Sequence, residues 1–288
     1  MGLALVPILF LVHPAASSGA GISPLPLPSL PPPLSSPTPS PTPSPTPRAT
    51  AAPPAAASDV IAPQNRWALI VGITSYTRPT HDTVAGADDA RIVRSVLLSQ
   101  GWRSDHIRML VDGAASGRAI ADGMSWLVGL SNPKTFVFFH YSGHVQQLNG
   151  HEYFWGQDNI LIRDSDAYPT LAATHGRAWF DIAGCEASGL VANLGSSNVL
   201  VTASSQVTEK SYELPDQHAS VWVELMFREA MLQKQGDADG DGKVSVPEAI
   251  AYAGPRAAQV TADQQPHGPQ HPYRAGDKRS LRLDAPRP

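Results

Sequence analysis

One cysteine stands in 288 residues. It is Cys185, in the stretch FDIAGCEASG, residues 180–189, held between small residues at the end of an apolar run. A solitary thiol either packs as a small hydrophobe or acts as a nucleophile, and the second role needs an imidazole within reach, because the thiolate is the attacking species. The stretch YSGH, residues 141–144, ends a second apolar run and offers His144 as that base. Backbone N–H groups at the start of the helix expected after Cys185 could hold an oxyanion. A second group of chemistry-bearing residues is DADGDGKVSVPE, residues 237–248. Calcium takes six to eight oxygen ligands, and a twelve-residue loop supplies them from positions 1, 3, 5, 7, 9 and 12 with glycine at 6. Here these are Asp237, Asp239, Asp241, the Lys243 carbonyl, Ser245 and Glu248, with Gly242 at the turn. His140 and His144, four apart on a strand, lie about 13 Å from each other, so a zinc pair is not expected.

The elements that must position these residues are legible as apolar runs. WALIVGI (67–73), HIRMLV (106–111), TFVFFHY (135–141), RAWFDIA (177–183) and NVLVTAS (198–204) read as buried strands. Between them, 85–100, 116–129 and 220–235 carry apolar residues at helical spacing, and a further helix is expected over 246–253. Near-continuous apolar strands separated by helices predict an α/β fold, a mostly parallel sheet with helices on both faces. Chemistry in such sheets gathers beyond the carboxyl ends of the strands, and both His144 and Cys185 follow strand ends. Neighbouring strands would project them into one crevice.

The amino-terminal part has a different composition. An apolar run from Leu3 to Val12 followed by small residues has the length and order of an export leader, expected over 1–20. Such a run is too short for a helix to span a bilayer, so no membrane span is expected in the mature chain. Residues 21–62 hold half of the chain's 28 prolines among Ser, Thr and Ala, which predicts a polyproline-rich linker. The folded domain is therefore expected over 63–288, in a secreted or cell-surface setting. Outside the cell a lone cysteine cannot form an intramolecular disulfide, which leaves a free thiol or an intermolecular pair. Net charge of −4 and scattered Lys and Arg exclude a nucleic-acid footprint.

The motifs S-G-H (142–144) and A-G-C-E-A-S-G (183–189), with VGITSY, AGADDA and TASSQVTEKSYE in the same order, resemble the caspase-like cysteine peptidases, the group of caspases, metacaspases and legumains. The resemblance covers about Trp67 to Ala253. It implies a caspase-like three-layer sandwich, His144 and Cys185 as catalytic dyad, the backbone N–H groups of Val145 and Cys185 as oxyanion donors, and protein or peptide substrates. It also places Asp89 and Ser142 in the substrate pocket, with Asp181 as a further acidic candidate, and so implies cleavage after Arg or Lys. Valine replaces the family's usual glycine at position 145, and the C-E-A-S-G segment is one residue longer than its common form. The chain thus reads as an exported, calcium-binding cysteine endopeptidase; the alternative is a catalytically inactive, calcium-stabilised binding module at the cell surface.

Overall fold

The computed structural model describes residues 61–191, 193–277 and 281–284. The expected leader, and the expected linker as far as residue 60, lie outside the described residues. The first apolar run folds as β1 (Arg66–Gly72) and leads through a loop into α1 (Gly86–Ser99). β2 (Ile107–Val111), α2 (Gly117–Gly129) and β3 (Phe136–Ser142) follow. Next come three short strands, β4 (Val145–Leu148), β5 (His151–Trp155) and β6 (Leu161–Arg163), then α3 (Asp164–Ala172). β7 (Arg177–Ala183), the single turn α4 (Ser188–Val191) and β8 (Val199–Ala203) continue the chain. β9 (Glu213–Leu214) pairs with β10 (Ala219–Ser220). Helix α5 starts as Val221–Val223 and runs on with π-helical winding over Glu224–Leu232. α6 (Val246–Val260) and β11 (Tyr273–Gly276) follow.

Six strands form one sheet in the order β11-β8-β7-β3-β1-β2, parallel except for β11. The strands read as unbroken apolar runs because both faces are covered. Alternate residues of β1 show the division: Ala68 and Ile70 join Val93, Val96, Trp222, Phe227 and Ala249 of α1, α5 and α6, whereas Leu69 and Val71 join Ile120, Met124 and Leu127 of α2. Leu171 of α3 and Phe154 of β5 complete that second layer. Burying each such side chain stabilises the fold by about 1.5–3 kcal/mol before conformational entropy is counted. The three-layer α/β architecture expected from the sequence is therefore present.

One expectation needs correction. The helix expected over 246–253 continues to Val260 through Pro255, because Ala253 and Ala257 are fully buried against the core and hold the extra turns in place. The chain beyond it adds the antiparallel edge strand β11 and buries Leu281 and Leu283. Among the described residues no helix is long and apolar enough to cross a membrane.

Candidate active site

β3 and β7 are neighbours in register, Ser142 opposite Ala183, so the residues that follow both strands emerge together. The pairing persists one step beyond the strands: Gly143 N–H donates to Ala183 O (3.2 Å), and Ile73 N–H to Ser142 O (3.0 Å). His144 and Cys185 consequently line the same two adjoining cavities, one of about 510 Å³ and one of about 110 Å³. Gly143 serves close approach here: a Cβ would lie 2.4 Å from the Tyr76 hydroxyl. At Gly184 a Cβ would lie 2.7 Å from Val145 Cγ2. Valine at position 145 thus fills the space that glycine at 184 leaves, and its extended backbone needs no left-handed conformation.

The His144 ring is oriented by a backbone group. Its Nε2 lies 2.8 Å from the His81 carbonyl oxygen. A carbonyl only accepts, so Nε2 carries the proton and Nδ1 is the basic nitrogen of the neutral ring. Its main chain is held just as closely. The His144 N–H donates to the Tyr76 hydroxyl (2.9 Å), which is hydrogen-bonded to Tyr141, and the Tyr141 hydroxyl lies 2.8 Å from the His144 carbonyl oxygen. Burial pushes the Tyr76 hydroxyl up to about 12, so it stays protonated.

Cys185 is half-buried, and burial raises its thiol pKa. Its sulfur accepts the Ser211 N–H at 3.5 Å, and among the described residues no hydrogen bond joins it to the His144 ring. Thiol and imidazole border the same cavities, and burial keeps the thiol neutral until a base takes its proton. Above them, β4 presents an open edge. Gln147 N–H on that edge donates to Glu186 Oε2 (2.8 Å), and the ladder alternation turns the Val145 N–H the same way, toward the 184–186 turn. Glu186 itself sits at φ +58° and pairs with Lys210 at 2.7 Å. Ser204 and Ser205 fix the turn from below through Gly184.

The smaller cavity runs past Ser142, Ala183, Ser211, Glu213 and Ser220. Asp89 lies fully buried beneath it, accepting the Ser142 hydroxyl (2.6 Å) and the Ser220 N–H (2.9 Å). Burial pushes its carboxyl up to about 6, against the lowering effect of those two donors. Asp181 must be corrected. It lies within the sheet, in one cross-strand row with His140 and Thr202, fully buried. Its oxygens take His140 Nδ1 (2.8 Å), the Thr202 hydroxyl and the Trp222 indole N–H (3.0 Å), so it anchors the core and does not reach the cavity. Glu213 is the acid that does line it, accepting N–H groups of Val84 and Ala85 at the start of α1.

In the acidic loop, carboxylate oxygens of Asp237, Asp239 and Glu248 lie within 4.8 Å of one another, a set that fits a hard cation. Asp241, expected with them, is drawn away: Arg282 from the buried carboxyl-terminal segment pairs with it at 3.0 Å. Ser245 caps α6, its hydroxyl donating to Glu248 Oε2 (2.7 Å), and the Lys243 ammonium pairs with Asp284.

Sequence reasoning missed His81 because a carbonyl contribution leaves no mark on residue type. Tyr76 had a mark, the final residue of VGITSY, but its partner is 68 positions away.

Residues 66–169 match the family model described as metacaspase, peptidase C14 domain. The match takes in His144 and ends before Cys185. Among curated proteins, metacaspase-1 of Lodderomyces elongisporus is 34% identical over 116 residues, 38% of this chain and 26% of that protein. Metacaspase-1 of Cryptococcus neoformans is 36% identical over 95 residues, 30% of this chain and 21% of that protein. The chain thus spans about a quarter of the length of these relatives. Among solved structures, caspase-1 of Spodoptera frugiperda superposes with a TM-score of 0.56 at 12% identity, covering 83% of this chain and 96% of the other. A Geobacter sulfurreducens protein gives 0.57 at 13% identity, over 76% and 97%.

Proposed function

We propose that this chain, whose residues 66–169 match the metacaspase, peptidase C14 domain model, is an exported caspase-like cysteine endopeptidase that uses Cys185 and His144 and cleaves after basic residues. The observation that supports the reading is that His144 and Cys185 border the same two cavities at the strand ends, with no hydrogen-bond partner for His144 Nδ1 among the described residues. A peptide carbonyl placed there meets Cys185 Sγ. As the S–C bond forms, Nδ1 of His144 takes the thiol proton, and the carbonyl π pair moves to oxygen, where the N–H groups of Val145 and Cys185 receive it. Collapse of that intermediate expels the amine, which takes the proton from His144; water, deprotonated by the same nitrogen, then hydrolyses the thioester. The bond from Nε2–H to the His81 carbonyl stabilises the imidazolium formed between these steps.

For the acyl-side residue, the cavity over Asp89 and beside Glu213 supports a cationic side chain, with Ser142 and Ser220 as neutral donors and acceptors between. The same reading gives the chain a calcium ion held by Asp237, Asp239 and Glu248, which would join the ends of α5 and α6 by electrostatic attraction. The leader and linker composition supports export to a cell-surface or secreted setting.

A fluorogenic peptide library varied at the acyl-side residue tests this. Wild type is expected to cleave after Arg and Lys, Cys185→Ala to cleave nothing, and the basic preference to weaken below about pH 6 as Asp89 takes a proton. Absence of turnover throughout, with a Cys185 that iodoacetamide does not label, would establish the inactive binding module instead.

A further inference from the structure

The larger cavity is not needed by the acyl side. Both cavities border His144 and Cys185, so a peptide crossing the thiol with its basic residue in the smaller one must direct its leaving half into the larger. This step rests on the peptidase reading above. We propose that the cavity of about 510 Å³ between the 79–81 loop, β4 and the Cys185–Glu186 turn is a leaving-group subsite that selects an uncharged apolar or aromatic residue immediately after the scissile bond.

Three observations assign that chemistry. Apolar surface in the lining comes from Pro79, the buried Val145 and the half-buried indole of Trp155, beside the uncharged Thr80, Gln146 and Gln147. The Trp155 ring lies 6.3 Å from the His144 ring at 69°, so a side chain resting on it brings the leaving nitrogen beside the group that protonates it. The acid and amine in the lining, Glu186 and Lys210, are paired at 2.7 Å, and Glu186 also holds the Gln147 N–H. A charged side chain entering there would lose water without gaining a free counter-charge, a cost that an apolar side chain does not carry. The volume lies within the range of sites that enclose a small ligand, enough for a phenyl or isobutyl group.

The loop forming the third wall is tied to the site by the same bond that orients His144, from Nε2 to the His81 carbonyl. Filling the cavity therefore presses on the segment that holds the base, so leaving-side binding energy is expected in kcat as well as in KM. No step of bond making differs from that already described; the subsite acts on which amine departs.

The test uses full-length protein and peptides with a constant Arg on the acyl side and Phe, Leu, Gly or Asp next to it. Wild type is expected to show kcat/KM for Phe and Leu roughly tenfold or more above Gly, with Asp lowest. Trp155→Ala should compress the Phe-to-Gly ratio toward one, and Trp155→Phe should retain it. A second measurement needs no variant: the acyl-enzyme formed from a peptidyl-arginine methyl ester should transfer to phenylalaninamide in preference to glycinamide. Ester hydrolysis by wild type with equal transfer to both amides, or equal kcat/KM across the leaving residues, would overturn the subsite while leaving the peptidase intact. Failure to hydrolyse the ester at all would overturn the peptidase reading on which it rests.

Discussion

His144, the proposed base, is held by two hydroxyls. Tyr76 accepts the His144 N–H, Tyr141 reaches its carbonyl oxygen, and the two phenols are joined to each other, so the residue's main chain closes a ring of hydrogen bonds. Tyr76 touches no substrate; it acts through His144 and is a positioning residue. Tyr76→Phe leaves the N–H without its acceptor in a half-buried place, where such a loss costs about 1–3 kcal/mol, and frees the ring to shift. The expected outcome is a fall in kcat of roughly tenfold with little change in KM, since a small misplacement of a catalytic group affects the transition state more than binding. An unchanged kcat in steady-state assays would show that the ring is located by its Nε2 bond to His81 alone. At this scale the sequence marks residue types well: Cys185, His144, Ser142 and Asp89 all stand at the site or directly beneath it. Asp181 failed because its type says nothing about direction, and strand alternation turned it into the core.

The element that most shapes the site is the β4–β5 hairpin, which no apolar run announced. Its turn is Asn149-Gly150, both at positive φ (53° and 77°), a dipeptide that favours the tight hairpin turn. The flanking strands are short and largely exposed on β4, so the hydrophobic pattern that reveals longer strands is absent. This hairpin brings Val145 to the thiol and places Glu152 under the turn that follows it. Glu152 is only 2% exposed; neither carboxylate oxygen has a hydrogen-bond partner among the described residues, and its side chain lies against the Gly189 backbone. Burial first, then the nearby acids Glu186 and Asp164, push its pKa up to about 8. The folded chain therefore holds a proton that the unfolded chain releases near 4.5. Stability from this group declines as pH rises from about 4.5 to about 8, because the unfolded state binds fewer protons over that window. Glu152→Gln should melt with wild type at pH 4 and several degrees higher at pH 8, at roughly 2–4 °C per kcal/mol. Parallel melting curves for the two proteins across that range, followed by circular dichroism, would remove the buried-acid account.

For the whole molecule, the acidic loop and the carboxyl-terminal segment meet. Leu281 and Leu283 are buried, the Leu283 carbonyl oxygen accepts the Trp102 indole N–H (2.9 Å) and a bond from Arg66, and Arg282 and Asp284 pair with Asp241 and Lys243 of the loop. Calcium bound between α5 and α6 would stabilise this assembly by an amount set by its concentration relative to Kd, about 2.7 kcal/mol at a hundredfold excess. Chelation is expected to lower Tm, and Asp237→Ala to abolish the difference; a melting curve indifferent to chelator in wild type would refute a structural ion. The sequence by itself determined the layers, the core strands along the chain and the candidate thiol and imidazole, because long two-sided burial leaves continuous apolar runs and chemistry leaves rare residue types. Only the tertiary structure decided which way Asp181 points, that His81 lends a carbonyl, that Arg282 claims Asp241, and that Val145 fits over Gly184. Each of these depends on groups distant in the chain or on backbone atoms common to every residue, and neither leaves a local pattern to read.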